Sequence, residues 1–438
     1  MPAARRCRGG DAMGEAAGRL PWSLPRPPSG RRELRLARCP RLRRLLPLPL
    51  LLAAMSMAGC GGSGSGDGSA VSNTPVLEAP PSDTAATPAP APTAPVAVTV
   101  QEVTAQLEAP WSLAFLPDGS MLVTEKPGGL RRVDAAGRVS PPLAGVPAVY
   151  AMGQGGLLDV ALGPTFETDR RIYFTFAEAD AGGNSRAAVA RAVLGESAIS
   201  GVEVIYRQTP SLPSTLQYGA RLVFDRAGHL YVTLGDRRLD ESAQDLTTTL
   251  GKVVRIFPDG SIPPDNPVFA QPGAVPGLWS YGHRNPQGAA LNPVTGELWL
   301  SEHGPRGGDE INRVLAGRDY GWPRITYGRD YETGVPLGEG TTAPGVEPPL
   351  HYWVPVSIAP AGMDFYTGDK LPGWQGSLLV GALAGQMLVQ LSLQGDAVVG
   401  ETRHLQALGE RFRAVRQGPD GYPYLLTDSG RLLRVVPR

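Results

Sequence analysis

The stretch LSEHGPRGGDEIN, Leu300–Asn312, follows an apolar run, GELWLSE, and packs His303, a Gly-Pro pair, Arg306, a Gly-Gly pair, Asp309 and Glu310 into ten positions. Carboxylates beside free glycine and proline carbonyls suit a hard cation, because calcium takes oxygen ligands in irregular geometry. A solvated turn is the simpler alternative for the same composition. Upstream, YGHRNPQG (Tyr281–Gly288) sets Arg284 and Asn285 ahead of Pro286, where the chain is held extended. RFRAV presents Arg411 and Arg413 on one face if it is a strand. Several guanidiniums aimed at one face suit a ligand with more than one carboxylate, which arginine grips with two parallel hydrogen bonds. Taken singly, each arginine reads equally well as a loop cap or a surface pair. GQGGLLD (Gly153–Asp159) and RDYGWP (Arg318–Pro323) are the remaining clusters of this kind.

Other chemistries are absent from the sequence. There is no GxGxxG between a strand and a helix, no phosphate-binding P-loop, no GxSxG and no paired-histidine zinc motif; the five histidines are scattered. The three cysteines, Cys7, Cys39 and Cys60, all precede residue 61, so the rest of the chain has neither a disulfide framework nor a thiolate zinc site. Of 41 basic and 41 acidic residues, twelve arginines and three acids fall in the first 60 positions. The remainder carries 29 basic against 38 acidic residues, a poor balance for binding nucleic acid.

Elements able to position these clusters recur along the chain. An apolar-alternating run, a Pro/Asp/Gly turn and a second apolar run ending in Thr, Ser, Glu, Asp or Gly appear six times, at 111–125, 156–178, 220–236, 288–302, 362–382 and 412–428. The turns PDGS, RAGH, VTGE and PDGY are hairpin chemistry, with glycine supplying a positive φ. Third runs follow several copies, as in GGLRRVD, GKVVRIFPDG, QMLVQLSL and GRLLRVV. Six copies built of about four short strands each predict an all-β, six-bladed β-propeller with four-stranded antiparallel blades over residues 99–438. The long insertions at 237–250 and 303–351 are expected to follow second strands and to gather on one face, where a propeller builds its site.

The N-terminal region reads differently. RLRRLLPLPLLLAAMSMAGC, Arg41–Cys60, has a basic start, an apolar run too short to span a bilayer comfortably, and small residues before a cysteine. Residues 1–60 are therefore expected to be a signal peptide with a lipobox-like end, Cys60 carrying a lipid anchor and the mature protein facing the periplasm from the outer membrane. Residues 61–98, rich in Gly, Ser, Pro and Ala, are expected to be a linker.

The motifs also carry a resemblance. APWSLAFLPDG, GQGGLLDVAL, RLVFDRAGHLYVTLGD, GKVVRIFPDGSIPPDNP, YGHRNPQG, SEHGPRGGDEIN, DYGWP, LPGWQGSLLVGAL and GPDGYPYLLTD run in order across nearly all of 102–437. In these stretches the chain resembles the glucose/sorbosone dehydrogenase family, soluble aldose dehydrogenases that use pyrroloquinoline quinone (PQQ) and calcium (Ca2+). The resemblance implies oxidation of a sugar at its anomeric carbon by hydride transfer to the quinone, with electrons passed on to a respiratory or dye-like acceptor. It places Gln154, Arg284 and Asn285 at the quinone, and Arg411 and Arg413 on its carboxylates. It places the Gly304 and Pro305 carbonyls on the cofactor calcium, and Glu310 and Tyr320 at a second calcium. Asp236 matches the carboxylate that orients the family's general-base histidine, but the position of that histidine is Gln217. A neutral amide has no useful basicity near pH 7, and losing a positioned base costs about 10²–10⁴-fold in rate. Asp236 or His303 are candidate substitutes. Ala384 stands where some members carry a lysine toward the quinone, and Tyr352 and Trp353 are candidates to stack on it. The alternatives are a non-catalytic quinone- or sugar-binding propeller and, by fold analogy alone, a calcium-dependent lactonase.

Overall fold

The computed structural model describes residues 96–438; the expected leader at 1–60, with Cys60, and residues 61–95 lie outside them. Six antiparallel sheets follow one another along the chain, and the innermost strand of each packs on those of its two neighbours, so the sheets close a ring. The fold is the six-bladed propeller that the repeats predict. The innermost strands are Pro110–Phe115, Leu157–Leu162, Gly219–Phe224, Pro286–Leu291, Pro360–Phe365 and Phe412–Gln417. Each pairs with the second run of its copy, Met121–Glu125, Arg171–Ala179, Leu230–Leu234, Leu298–Glu302, Leu378–Ala382 and Pro423–Thr427. The turn glycines Gly119, Gly228, Gly296 and Gly421 all have positive φ, between 75° and 86°.

Blades 2 to 5 take four consecutive strands each. Blade 1 has three, and the place of its outer strand is filled by a single bridge between Val133 and Val139. Blade 6 takes its outer strand from the other end of the chain: Val98–Thr104 pairs with Leu432–Pro437. That strand starts one residue before the expected boundary at 99. Val96 is already docked, its carbonyl accepting from Trp374 Nε1 at 3.1 Å.

Apolar side chains fill the spaces between blades, as where Trp299 of blade 4 meets Met363, Phe365, Leu378 and Val380 of blade 5. The axis is polar. Arg221 is fully buried there and touches every blade. Its Nε donates to the Gln287 carbonyl at 2.6 Å, its Nη2 to the Arg413 carbonyl at 3.2 Å, and its Nη1 to Asp159 Oδ1 at 3.3 Å. The guanidinium lies 3.9 Å from the Trp111 ring centre, and a Cβ at Gly362 would come within 3.0 Å of it.

One expected connection is corrected. The segment 303–351 is not one insertion after a second strand. It contains the third strand, Asp309–Arg313, and the insertion proper is 314–350, between the third and fourth strands. This insertion still reaches the face where second strands end, since Asp319 bridges to Tyr281 and Arg329 to Arg306.

Candidate active site

First strands begin, and second strands end, on one face of the ring. At that end every inner strand pair slips register, at Pro110/Ser112, Leu157/Val160, Val232/Leu234, Pro286/Gly288, Pro360/Met363 and Phe412/Ala414. Bulges bend a strand and re-aim its side chains. The residues just outside these slips surround the axis. A cavity of about 580 Å³ there is lined by Gln154, Gln217, Arg238, Arg284, Asn285, His303, Gly304, Pro305, Ser357 and Ala384. A second lobe of about 380 Å³ shares Gln154, His303 and Ala359 with it and adds Trp111, Lys126, Gln287, Arg411, Arg413 and Asp428.

Gln217 is buried in the main lobe with φ 53°, a left-handed conformation that a side-chain-bearing residue seldom adopts. Its backbone N–H donates to Gln154 Oε1 at 2.8 Å, while its own Oε1 is buried without a partner. Arg284 Nη1 donates to the His303 carbonyl at 3.1 Å and the Gly304 carbonyl at 2.6 Å; its Nε has no partner. Asn285 Oδ1 accepts from the Gly219 N–H at 3.3 Å, and its amide nitrogen lies 3.4 Å from His303 Nδ1. His303 Nε2 is also buried and unpartnered. Burial, and then the charges of Arg284 and Arg413, push the imidazole down to about 3, so it is neutral near pH 7 and carries no charge into the site.

Asp236 accepts from Trp322 Nε1 at 2.8 Å and from the Arg238 N–H at 2.9 Å. Burial pushes its carboxyl up to about 7 against the pull of Arg284. It lies behind the cavity wall and does not line it. In the second lobe Arg411 Nε and Arg413 Nε bind opposite oxygens of Asp428, at 2.8 and 2.9 Å, and Arg413 Nη1 donates to Gln287 Oε1 at 2.8 Å.

The GPRGGD loop is held by its own acid. Asp309 accepts from the Gly304 N–H at 2.9 Å, the Ile358 N–H at 2.7 Å, the Ala359 N–H at 2.9 Å and Ser357 Oγ. A Cβ at Gly304 would collide with the Gly307 and Gly308 carbonyl oxygens, so the loop can turn this tightly only with glycine there. Glu310 lies on the far side of the strand, where Asn312 Nδ2 bridges it (3.1 Å) to Glu302 (2.9 Å). Burial, and then Glu302, raise its carboxyl. Tyr320 borders the same crevice and stacks on His283 with ring centres 4.6 Å apart.

The residues present fit both implied groups. Unpartnered polar atoms of Gln217, Arg284 and His303 border one cavity, and Lys126, Arg411 and Arg413 face it with Asp428 as the carboxylate between them, a net positive wall for an anionic ligand. The His303 and Gly304 carbonyls already converge on a cation, the Arg284 guanidinium, and the pair of buried Glu302 and half-buried Glu310 suits a second one. Among the described residues no three His, Cys, Asp or Glu side chains cluster as a metal site, so an ion would draw on carbonyls as well.

Most site residues expected from sequence therefore meet at one cavity. Glu310 and Tyr320 form a separate crevice. The aromatic expectation is corrected: Tyr352 stacks on Tyr327 at 3.8 Å and the Trp353 indole donates to Glu401, and neither lines the cavity. Sequence reasoning missed Lys126, Arg238 and Asp428, and it singled out RDYGWP without giving Trp322 a role. Lys126 and Asp428 immediately follow second strands, as His303 does, and that shared position was the available signal.

The model of the family described as Glucose / Sorbosone dehydrogenase matches residues 107–434. The aldose sugar dehydrogenase YliI of Escherichia coli is 46% identical over 351 residues, covering 79% of this chain and 94% of that one. Quinoprotein glucose dehydrogenase B of Acinetobacter calcoaceticus is 27% identical over 407 residues, covering 75% and 84%. The PQQ-bound aldose sugar dehydrogenase structure from Streptomyces coelicolor superposes with a TM-score of 0.65 at 29% identity, covering 78% and 99%.

Proposed function

The chain belongs to the glucose/sorbosone dehydrogenase family, and on that premise we propose that it oxidises aldose sugars at the anomeric carbon to lactones, using PQQ and calcium. The observation that carries this reading is the two-lobed cavity, with unpartnered polar groups in one lobe and a cationic wall in the other. When bound, the quinone supplies a hydride-accepting carbonyl and the calcium ion a Lewis acid that polarises it. Arg411 and Arg413 grip carboxylates, with Gln287 and Asp428 fixing the Arg413 fork. Arg284 and Asn285 present donors in the main lobe. Gln217 orients the sugar's anomeric hydroxyl by hydrogen bonding. Asp236, buried behind the cavity wall with a pKa of about 7, is the carboxylate proposed to hold the departing proton. The proposal includes lipid anchoring through Cys60 at the periplasmic face and transfer of electrons to an external acceptor.

A second reading has support in Gln217 itself. A neutral side chain stands where the family's base belongs, so the site could bind the quinone and sugar without efficient turnover. One experiment separates the two. The protein, freed of metal, is given calcium and PQQ, and dye reduction is followed with a panel of aldoses beside Gln217→His. The dehydrogenase reading expects turnover in the unmodified protein, rising about 10²–10⁴-fold in Gln217→His. Turnover confined to Gln217→His supports the binder. Failure of the unmodified protein to bind the quinone removes both.

A further inference from the structure

The cationic lobe contains a residue whose role neither the motifs nor the relatives' names assign. Lys126 directly follows the second strand of blade 1 and faces the lobe that holds Arg411 and Arg413. Its ammonium makes one hydrogen bond, to the Gly153 carbonyl at 2.8 Å, and has two donors left. Burial and the charge of Arg413 hold it below the ordinary lysine value. Asp428, the carboxylate of this lobe, already binds Arg411 and Arg413. Three cations therefore share one anion, and Lys126 is the cation without a carboxylate against it. Ala384, which lines the main lobe from blade 5, offers no charge.

We propose that Lys126 is a third carboxylate-binding cation of the quinone site, contributing from blade 1 the positive charge that Ala384 does not provide from blade 5. The proposal rests on the quinone reading above and adds to it a residue and a direction of approach. A compact ammonium on a flexible stem acts as a point charge and can swing from Gly153 to a ligand oxygen, whereas the Arg413 fork is fixed by Gln287 and Asp428. Lys126 is part-exposed and touches the fold chiefly through its backbone, whose N–H donates to Ala109 and whose carbonyl accepts from Leu157. Its side chain can be changed without opening the core.

The test reads binding rather than turnover. The purified full chain in calcium buffer is titrated with PQQ, and Kd is taken from quenching of intrinsic tryptophan fluorescence. Lys126→Gln is expected to weaken binding about tenfold and to lower the dependence of log Kd on log salt by the equivalent of one charge. Lys126→Arg should bind within about twofold of the unmodified protein, and Ala384→Lys should restore affinity to Lys126→Gln. Equal binding by Lys126→Gln and the unmodified protein overturns this inference and leaves the quinone reading standing. A tenfold loss in Lys126→Arg also overturns it, since the residue would then act by shape rather than charge. An unmodified protein that does not bind the quinone overturns the quinone reading and this inference together.

Discussion

His303 sits where the two lobes meet, with a pKa pushed down to about 3 by burial and two guanidiniums. The unfolded chain takes up a proton there near pH 6.5. Its contribution to stability is thus fully present above about pH 6.5 and is lost as pH falls from there toward 3. Asp236 and Asp309, raised to about 7 and about 6, act in the opposite sense, because their folded forms hold protons that the unfolded chain has released. The His303 component is isolated by difference. Between pH 6.5 and 5 the unmodified protein should lose about 1–2 kcal/mol relative to His303→Gln, at about 1.4 kcal/mol per pH unit. Urea unfolding at the two pH values measures it, and a constant difference between the proteins would exclude a buried neutral imidazole. At this scale Arg284, Asn285, Arg411 and Arg413 were legible because YGHRNPQG and RFRAV group them and carry the family resemblance, where each arginine alone reads equally well as a loop cap or a surface pair. Lys126 was not, because a single lysine after a strand looks like any surface charge until Arg413 is placed beside it.

Between residue and ring stand the loops, and Asp309 shows how they are set. One carboxylate gathers N–H groups from Gly304, Ile358 and Ala359, tying the turn after blade 4's second strand to the entry of blade 5. Asp309→Ala leaves these buried donors without an acceptor and should cost about 1–3 kcal/mol in denaturant unfolding. Cleavage in limited proteolysis should move to 303–308 and 355–359. Asp309→Asn, which keeps an acceptor but adds two donors facing N–H groups, should recover only part of the loss. Unchanged unfolding in Asp309→Ala would mean that the loops hold without the clamp. The six hairpins themselves were plain in the sequence, since each copy carries its turn between two apolar runs. The register slips that aim the site were not. A bulge adds no distinctive residue type, and its position depends on a partner strand. The same limit hid the third strand inside 303–351, where Asp309–Arg313 is too short and polar to stand out from the loop around it.

In the whole molecule, the six blades share one cation at the axis. Arg221 is bound to backbone or side-chain oxygens of blades 1, 2, 4 and 6, and its pKa is pushed down to about 10 by burial even with Asp159 beside it. Arg221→Met leaves the buried Asp159 carboxylate without its countercharge and should cost about 3–5 kcal/mol, seen as a lower melting temperature by circular dichroism. An unshifted melt would show that apolar packing between blades alone holds the ring. Closure adds a constraint of a different kind. Blade 6 joins the beginning of the described chain to its end, and Glu102 and its ion-pair partner Arg431 are 329 residues apart in sequence. A ribosome therefore releases the strand at 98–104 long before Leu432–Pro437 exists to receive it. Until then the nascent protein is an open arc with unpaired edges at both ends, the form most prone to join a neighbour. The codons for Leu432–Pro437 thus act as the latch, and a message cut short before them would yield a chain with nearly all of its site and no way to shut.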